Sequence, residues 1–278
     1  GLTTDEAGNA TADLLKGGLT LTDIKLDVLD NPVTIAVPLT ITLDQSQLKL
    51  PATRINGQGL DLNLGGAIGL KDEAVMNFDL NGSVALDRLP TLAEGVALFG
   101  MVNIGGTLTG TAEKPVLGGQ VEFSGFGLST TDLPIFVSNG TGRIKLSGDN
   151  VILESFKAEA NEGALEITGE MKLAQLRPAS WKFDIRATNA EIFYDEFSAS
   201  VNGSLTLNGT PEKQTLAGTI LVPLGEYKTR IDLDNLIGGG NANLSFGGFS
   251  AGGSSSQKSV IPPITLELKV EARDSLLV

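Results

Sequence analysis

The sequence predicts an all-β protein that folds as one elongated, curled sheet. We expect a β-taco-like trough with an apolar inner face, formed by an antiparallel meander or by a mixed sheet. Three observations support this fold class: a segment occurs twice, apolar and polar residues alternate along most of the chain, and 35 glycines supply tight reversals. Such a sheet has one continuous apolar face, and something must cover it.

The repeated segment predicts a strand–turn–strand unit. Residues Val102–Phe123 return as Val201–Val222 without insertion or deletion, and ten of the 22 positions are identical. Both copies carry Gly-Thr-x-Glu-Lys at their centre, starting at Gly110 and at Gly209. A unit that recurs in this way predicts a long repetitive sheet rather than one compact enzyme core.

The first elements are a short helix and a strand. Residues 5–17 predict the helix, with Asp5–Lys16 as its body and Gly17-Gly18 as its stop. Pro38 has no amide hydrogen for a neighbouring strand, which predicts an edge strand or a bulge at that point. The strand itself is predicted by six apolar residues in strict alternation, at Val33, Ile35, Val37, Leu39, Ile41 and Leu43.

Shorter alternations predict strands through the rest of the chain. They begin at Leu60, Met76, Ile144, Trp181, Val201 and Ile264. Asn-Gly steps at residues 81–82, 139–140 and 202–203, together with residues 148–150, predict turns. Short strands with evenly spaced turns indicate a meander, in which neighbours in sequence are neighbours in the sheet.

One stretch differs from the rest in composition. Residues 238–259 are rich in Gly and Ser and predict a flexible loop between strands, closed by Pro262-Pro263. Phe246 and Phe249 are its only large apolar residues. They leave open a lid that dips onto the apolar face, although the composition favours a plain loop.

The composition excludes several classes of function. The chain has no histidine and no cysteine, so Ser-His-Asp catalysis, thiol catalysis, His-ligated zinc and disulfides are excluded within it. Its net charge of −13 argues against nucleic acid as a partner, because phosphate backbones would be repelled. Asp232 and Asp234 share a strand face, but nothing completes a calcium loop. We therefore expect no enzyme, no metal and no cofactor.

The ends of the chain indicate a piece of a longer polypeptide. The sequence opens on Gly1 without an initiator Met and stops inside an alternating segment at Val278. No signal peptide opens it, and no apolar run approaches the roughly 18 residues of a membrane-spanning helix. We expect residues 1–278 to form one continuous sheet segment.

The glycine-punctuated units resemble the C-terminal β-repeat region of the TamB family, within the wider group of AsmA-like bridge proteins. The pattern Gly-x-Leu-x-(x)-Gly-Thr-x-x-x-Pro-x-Leu-x-Gly lies at residues 106–119 and, more loosely, at residues 203–218. The second copy has Gln214 where the first has Pro115. Residues 263–272, after the Gly/Ser-rich loop, are also similar to the end of the family's sequences.

The resemblance implies a location and a set of partners. It implies a periplasmic segment tethered to the inner membrane by an anchor outside this chain, and a trough that conducts phospholipids toward the outer membrane. It also implies an outer-membrane barrel of the Omp85 type, similar to TamA, as a partner in translocation and assembly.

The residues alone are compatible with three functions. A lipid conduit would hold acyl chains on the apolar face, a chaperone-like scaffold would offer strand edges or the groove to outer-membrane proteins, and an adhesive β-repeat would close into a sandwich. The predicted lipid-binding groove consists of Val33, Ile35, Val37, Leu39, Ile41, Leu43, Met76, Phe78, Leu80, Phe183, Leu205 and Leu207.

Overall fold

In the computed structural model, the structure describes residues 16–22, 24–28, 31–35, 37–44, 46–70, 74–89, 95–131, 136–194, 197–227, 264–272 and 276–277. These residues form 17 strands of a single open, curled sheet. The strands are β1 (Gly17–Leu21), β2 (Lys25–Val28), β3 (Asn31–Ile35), β4 (Leu39–Asp44), β5 (Gln47–Gly57), β6 (Leu60–Gly69), β7 (Met76–Ala85), β8 (Val96–Gly110), β9 (Pro115–Thr130), β10 (Phe136–Gly148), β11 (Asn150–Ala160), β12 (Gly163–Ala174), β13 (Arg177–Tyr194), β14 (Phe197–Gly209), β15 (Gln214–Tyr227), β16 (Ile264–Ala272) and β17 (Leu276–Leu277).

The strand order confirms the predicted all-β trough. Strands β5 to β15 pair with their neighbours in sequence, each antiparallel to the last. At one end, β3 and β4 pair with the two halves of β5, while β2 and β1 pair with β3 and β4. At the other end, β16 and β17 both pair with β15 in the parallel sense, so the sheet is mixed.

The strand predicted over residues 33–43 is interrupted. It forms β3 and β4, which end and begin on either side of the cis peptide bond Val37–Pro38. Pro38 has no amide hydrogen to donate to a ladder, which accounts for the break at this position. The break lies inside the sheet, since β3 and β4 each have a strand on both sides.

Three of the four predicted turns are wrong. Residues 81–82 lie within β7, residues 139–140 form an irregularity within β10, and residues 202–203 lie in β14 beside a register shift. Only residues 148–150 join two strands, β10 and β11. Glycine inside these strands accommodates a neighbour's side chain or a bulge, so it need not mark a reversal.

The two repeat copies occupy equivalent hairpins. The first copy lies in β8 and β9 and the second in β14 and β15. In each turn a threonine N–H donates to a lysine carbonyl, from Thr111 to Lys114 at 3.2 Å and from Thr210 to Lys213 at 2.8 Å. The predicted strand–turn–strand unit is confirmed.

The observed strands differ in length from the predicted ones, and two predicted segments lie mostly or wholly outside the described residues. The strands are longer than expected, with β13 reaching 18 residues. One 3₁₀ turn, Leu86–Arg88, ends the alternation that begins at Met76. Most of the predicted helix at residues 5–17 and all of the predicted loop at residues 238–259 lie outside the described residues.

A row of register shifts crosses the sheet near one end of the strands. The shifts fall between Phe99 and Met101 on β8, at residues 137–142 on β10, at residues 187–190 on β13 and at residues 200–202 on β14. Bulges bend strands and increase their twist, so these shifts contribute to the curl of the sheet. The most buried apolar side chains of these strands lie beside it, at Val102, Val137, Ala190, Ala199 and Val201.

Asn161, at the tip of the β11–β12 hairpin, joins two strands that extend past the tip. Its backbone N–H donates to the Phe136 carbonyl at 2.9 Å, and its side-chain Oδ1 accepts from the Phe136 N–H at 2.8 Å. On the other side, its Nδ2 donates to the Glu191 carbonyl at 2.7 Å and its carbonyl accepts from the Glu191 N–H at 3.1 Å. One residue therefore continues the ladder between β10 and β13.

We expect Asn161→Ala to open the sheet locally. The substitution removes both side-chain hydrogen bonds, one to the exposed Phe136 N–H and one to the partly buried Glu191 carbonyl, at a cost of about 1–2 kcal/mol. Amide hydrogen exchange at Phe136 and Glu191 measures the effect. The control is Asn150→Ala, because the Asn150 amide bonds to the exposed neighbouring Asp149; equal exchange in both variants would contradict the role of Asn161.

Candidate functional site: the apolar inner face

An unbroken row of apolar residues crosses the sheet from β3 to β16. Each member stands directly opposite the next on the adjacent strand. Twelve strand spacings of about 4.8 Å give it a length of about 55–60 Å. The row is Ile35, Ile55, Leu62, Gly82, Ile104, Val121, Ile144, Leu153, Gly169, Phe183, Leu207, Leu216 and Leu266.

Parallel rows flank this one on the same face. One of them runs through Leu64, Leu80, Gly106, Gly119, Leu146, Val151, Met171 and Trp181. Among the inward positions of the strands with described side chains, none carries an ionisable group. The inner face therefore offers no charge to stabilise an ion or to catalyse proton transfer.

The inward side chains are only partly covered. In β12, half-buried residues such as Leu165 and Ile167 alternate with exposed ones such as Glu166 and Thr168. The described residues form one sheet, with no second layer packed on its apolar face. A side chain in a closed sandwich would be almost fully buried, so this pattern is that of an open trough.

The structure brings most of the predicted groove residues onto the inner face, in three places. Phe183 stands opposite Leu207, and Leu205 lies two positions along the same strand. Met76, Phe78 and Leu80 share β7, six strands and about 29 Å from β13. Ile35, Ile41 and Leu43 are half-buried at the first strands.

Three predicted groove residues contribute less than expected. Val33 and Leu39 are almost fully buried, so they offer little surface to a ligand. Val37 lies in the break between β3 and β4 and is exposed there, outside the regular alternation. Pro38 interrupts the strand, and the alternation of apolar and polar residues alone does not reveal this interruption.

The prediction also missed the middle of the trough, where aromatic rings replace aliphatic chains. Phe123, Phe126 and Phe156 pack edge to face, with ring centroids 5.5–6.3 Å apart. They cover Gly140 and Gly142, whose absent side chains leave the room for the rings. In the sequence, Gly140-x-Gly142 and isolated phenylalanines are the features that indicate this aromatic cluster. The cluster can be recognised from them only when the pairing of the strands is known.

Inward glycines lie beneath large side chains elsewhere too. A Cβ on Gly169 would lie 2.5 Å from the Phe183 ring and 2.7 Å from its Cα. A Cβ on Gly209 would lie 2.5–2.7 Å from three atoms of the Trp181 indole. The alternation of glycine with bulky residues lets the inner side chains lie flat along the sheet.

The outer face carries the charges. Arg54 donates from Nε and Nη2 to Asp61 at 2.8 and 2.7 Å; this bond lowers the pKa of the Asp61 carboxyl and raises that of Arg54. A hydrogen bond to Glu271 likewise raises the pKa of Lys269. Arg143 pairs with Glu122 at 2.9 Å and Lys157 with Glu166 at 3.2 Å. These pairs are solvent-exposed and contribute little stability.

Within the described residues, no cluster of three or more His, Cys, Asp or Glu is arranged to hold a metal ion. The same part of the chain has no helix long and apolar enough to cross a membrane.

Comparison with known proteins gives one match. Residues 154–271, which run from β11 to β16, match the family model described as the TamB C-terminal domain. No curated protein and no solved structure gives a significant match. The match covers the second repeat copy and the parallel strand β16.

We expect Gly169→Val to destabilise the trough by about 1–3 kcal/mol, because the new side chain would displace the Phe183 ring and the backbone beside it. The midpoint of urea unfolding measures the change. Gly17→Val is the control, since no atom lies within 4 Å of its added Cβ, and it should change stability by less than about 0.5 kcal/mol. Equal effects would show that Phe183 does not need the space above Gly169.

Proposed function

The chain belongs to the TamB family, and from this premise we propose that it is a segment of a periplasmic conduit that carries phospholipid acyl chains toward the outer membrane. The family is a non-enzymatic one that acts in the bridge-like system of lipid transport and outer-membrane assembly. The observation that carries the proposal is the unbroken apolar row from Ile35 to Leu266.

The chemistry of the row is suited to acyl chains. Each methylene removed from water contributes about 0.8 kcal/mol, so a chain lying on the inner face is held by its whole length. A charged headgroup would be expensive to bury there, because the inner positions supply no ion partner. The headgroup would therefore stay at the open side of the trough, in water.

Uniformity along the row supports movement rather than storage. Leu62, Ile144 and Leu207 lie far apart along the row and present similar aliphatic groups. A bound chain would meet no deep well between them, since no polar or charged group interrupts the path. Transport through such a trough would need no reacting residue.

A second candidate function is a chaperone-like scaffold for outer-membrane proteins. The observation that favours it is β16, at whose outer edge no described strand pairs. Its Leu266 and Val270 are each 63% exposed. An extended client could add a strand to this edge and place apolar side chains beside these two. The third candidate, a closed adhesive sandwich, has no such support, because the described sheet is open.

The partners follow the same proposal. We expect phospholipid in the trough, an Omp85-type outer-membrane barrel at one end, and an inner-membrane anchor in a segment outside this chain. Mass spectrometry of material extracted from the purified chain separates the candidates: phospholipid supports the conduit, polypeptide supports the scaffold, and neither contradicts both.

We expect Leu207→Asp to reduce the co-purified phospholipid roughly tenfold or more, because a carboxylate on the inner face would have to be buried beside acyl chains. The matched control is Asn208→Asp, which adds the same charge one residue along β14 on the exposed outer face. Lipid phosphorus per mole of folded protein is the measurement. Equal lipid in both variants would contradict binding on the inner face.

A further inference from the structure

The two rims of the trough differ in chemistry. At one rim the chain turns at residues 111–114, 149, 175–176 and 210–213, and exposed Lys114, Arg177 and Lys213 lie in or beside these turns. The other rim lies where β9 is followed by β10, β11 by β12 and β13 by β14. We call the described ends of β8 to β15 at this second side the phenylalanine rim: residues 96–101, 127–131, 136–139, 158–164, 188–194, 198–200 and 222–226.

Three phenylalanines of this rim point away from the trough. Phe99, Phe136 and Phe193 are 43%, 51% and 54% exposed. Their cross-strand partners are Gly127, Ser129 and Ser198, on the outer face. Residues beside them, such as Leu98 and Val137, take the inward positions.

The location of these rings is unusual for this sheet. Elsewhere the outer face of β5 to β15 carries Thr, Asn, Lys and Glu, and Val116 is its main exposed apolar strand residue. The remaining phenylalanines with described side chains face inward and are half-buried. On the outer face of the phenylalanine rim, Met101 and Leu224 are two further exposed apolar side chains, whereas the exposed Ile192 faces inward.

The charge of the rim selects among partners. Exposed Arg88 lies on the same side of the sheet, before β8 begins. The phenylalanine rim itself has no Lys or Arg among its described residues, and its ionisable groups with described side chains are acidic: Glu159, Glu162, Glu191 and Glu226. An anionic membrane would be repelled by these carboxylates. A zwitterionic lipid surface carries no net charge and would accept the apolar rings.

The size of the stripe argues against a protein partner. The five exposed side chains offer roughly 400–500 Å², given that an aromatic side chain presents about 150–250 Å² in all. A stable protein interface needs about 800 Å² from each side. A bilayer needs no matching surface, because single side chains insert between headgroups independently.

We propose that the phenylalanine rim docks on the surface of a zwitterionic bilayer, with Phe99, Phe136 and Phe193 inserted at the headgroup boundary. This surface lies outside the trough, so the docking does not require the trough to carry lipid. Docking would hold these strand ends at the membrane surface and leave the opposite rim, with Lys114, Arg177 and Lys213, in water.

Vesicle flotation of the 278-residue chain tests the proposal. The wild-type chain should float with phosphatidylcholine vesicles and float less when phosphatidylglycerol is mixed in. The triple variant Phe99→Ser, Phe136→Ser, Phe193→Ser should lose flotation roughly tenfold or more. The control carries Val116→Ser and Leu176→Ser, two exposed apolar side chains outside the phenylalanine rim, and should float like the wild type.

Four outcomes would overturn the proposal: a wild-type chain that does not float, a triple variant that floats like the wild type, flotation only with phosphatidylglycerol, or a self-association lost in the triple variant. Circular dichroism confirms that each variant keeps its sheet. Lipid phosphorus in the purified chain is measured in parallel, so loss of docking and loss of trough-bound lipid are distinguished. Docking without trough-bound lipid would support the rim and contradict the conduit.

Discussion

The register between neighbouring strands is the constraint on which the rest of this molecule depends. Side chains alternate between faces at every residue, so a slip by one position would turn the aliphatic side of a strand toward water. The pairing keeps Leu62, Ile144 and Leu207 on one face, although many strands and several bulges separate them. The trough exists because this parity is preserved at every step.

Bulges and glycines preserve that parity while the sheet curls. Register shifts near Gly140 and Ala190 bend the strands, and buried alanines and valines lie beside them. Asn161 closes the gap that the short β11–β12 hairpin leaves between its longer neighbours. Burial in β8 to β14 is therefore greatest beside these shifts, while the other inward side chains of these strands are only partly covered.

The sequence was sufficient for the fold class, the repeated hairpin and the apolar face, because period-two alternation is a local property of each strand. The sequence was insufficient where the conformation of a residue depends on the adjacent strand or on the next residue. Asn-Gly at residues 81–82 looks like a turn, yet Gly82 lies opposite Leu62 within a strand. Val37 belongs to the periodic pattern, yet Pro38 removes it from the strand. The exposed rings at Phe136 and Phe193 follow from bulges, which no periodic pattern locates.

Because the two repeat copies form equivalent hairpins, a protein of this kind changes in length by whole hairpins. The first copy begins at β8 and the second at β14, so the intervening 99 residues correspond to six strands and advance the sheet by about 29 Å. Insertion of whole hairpins lengthens the molecule without altering its cross-section. Duplication of such units alone lengthens the sheet by roughly 3 Å for every ten codons.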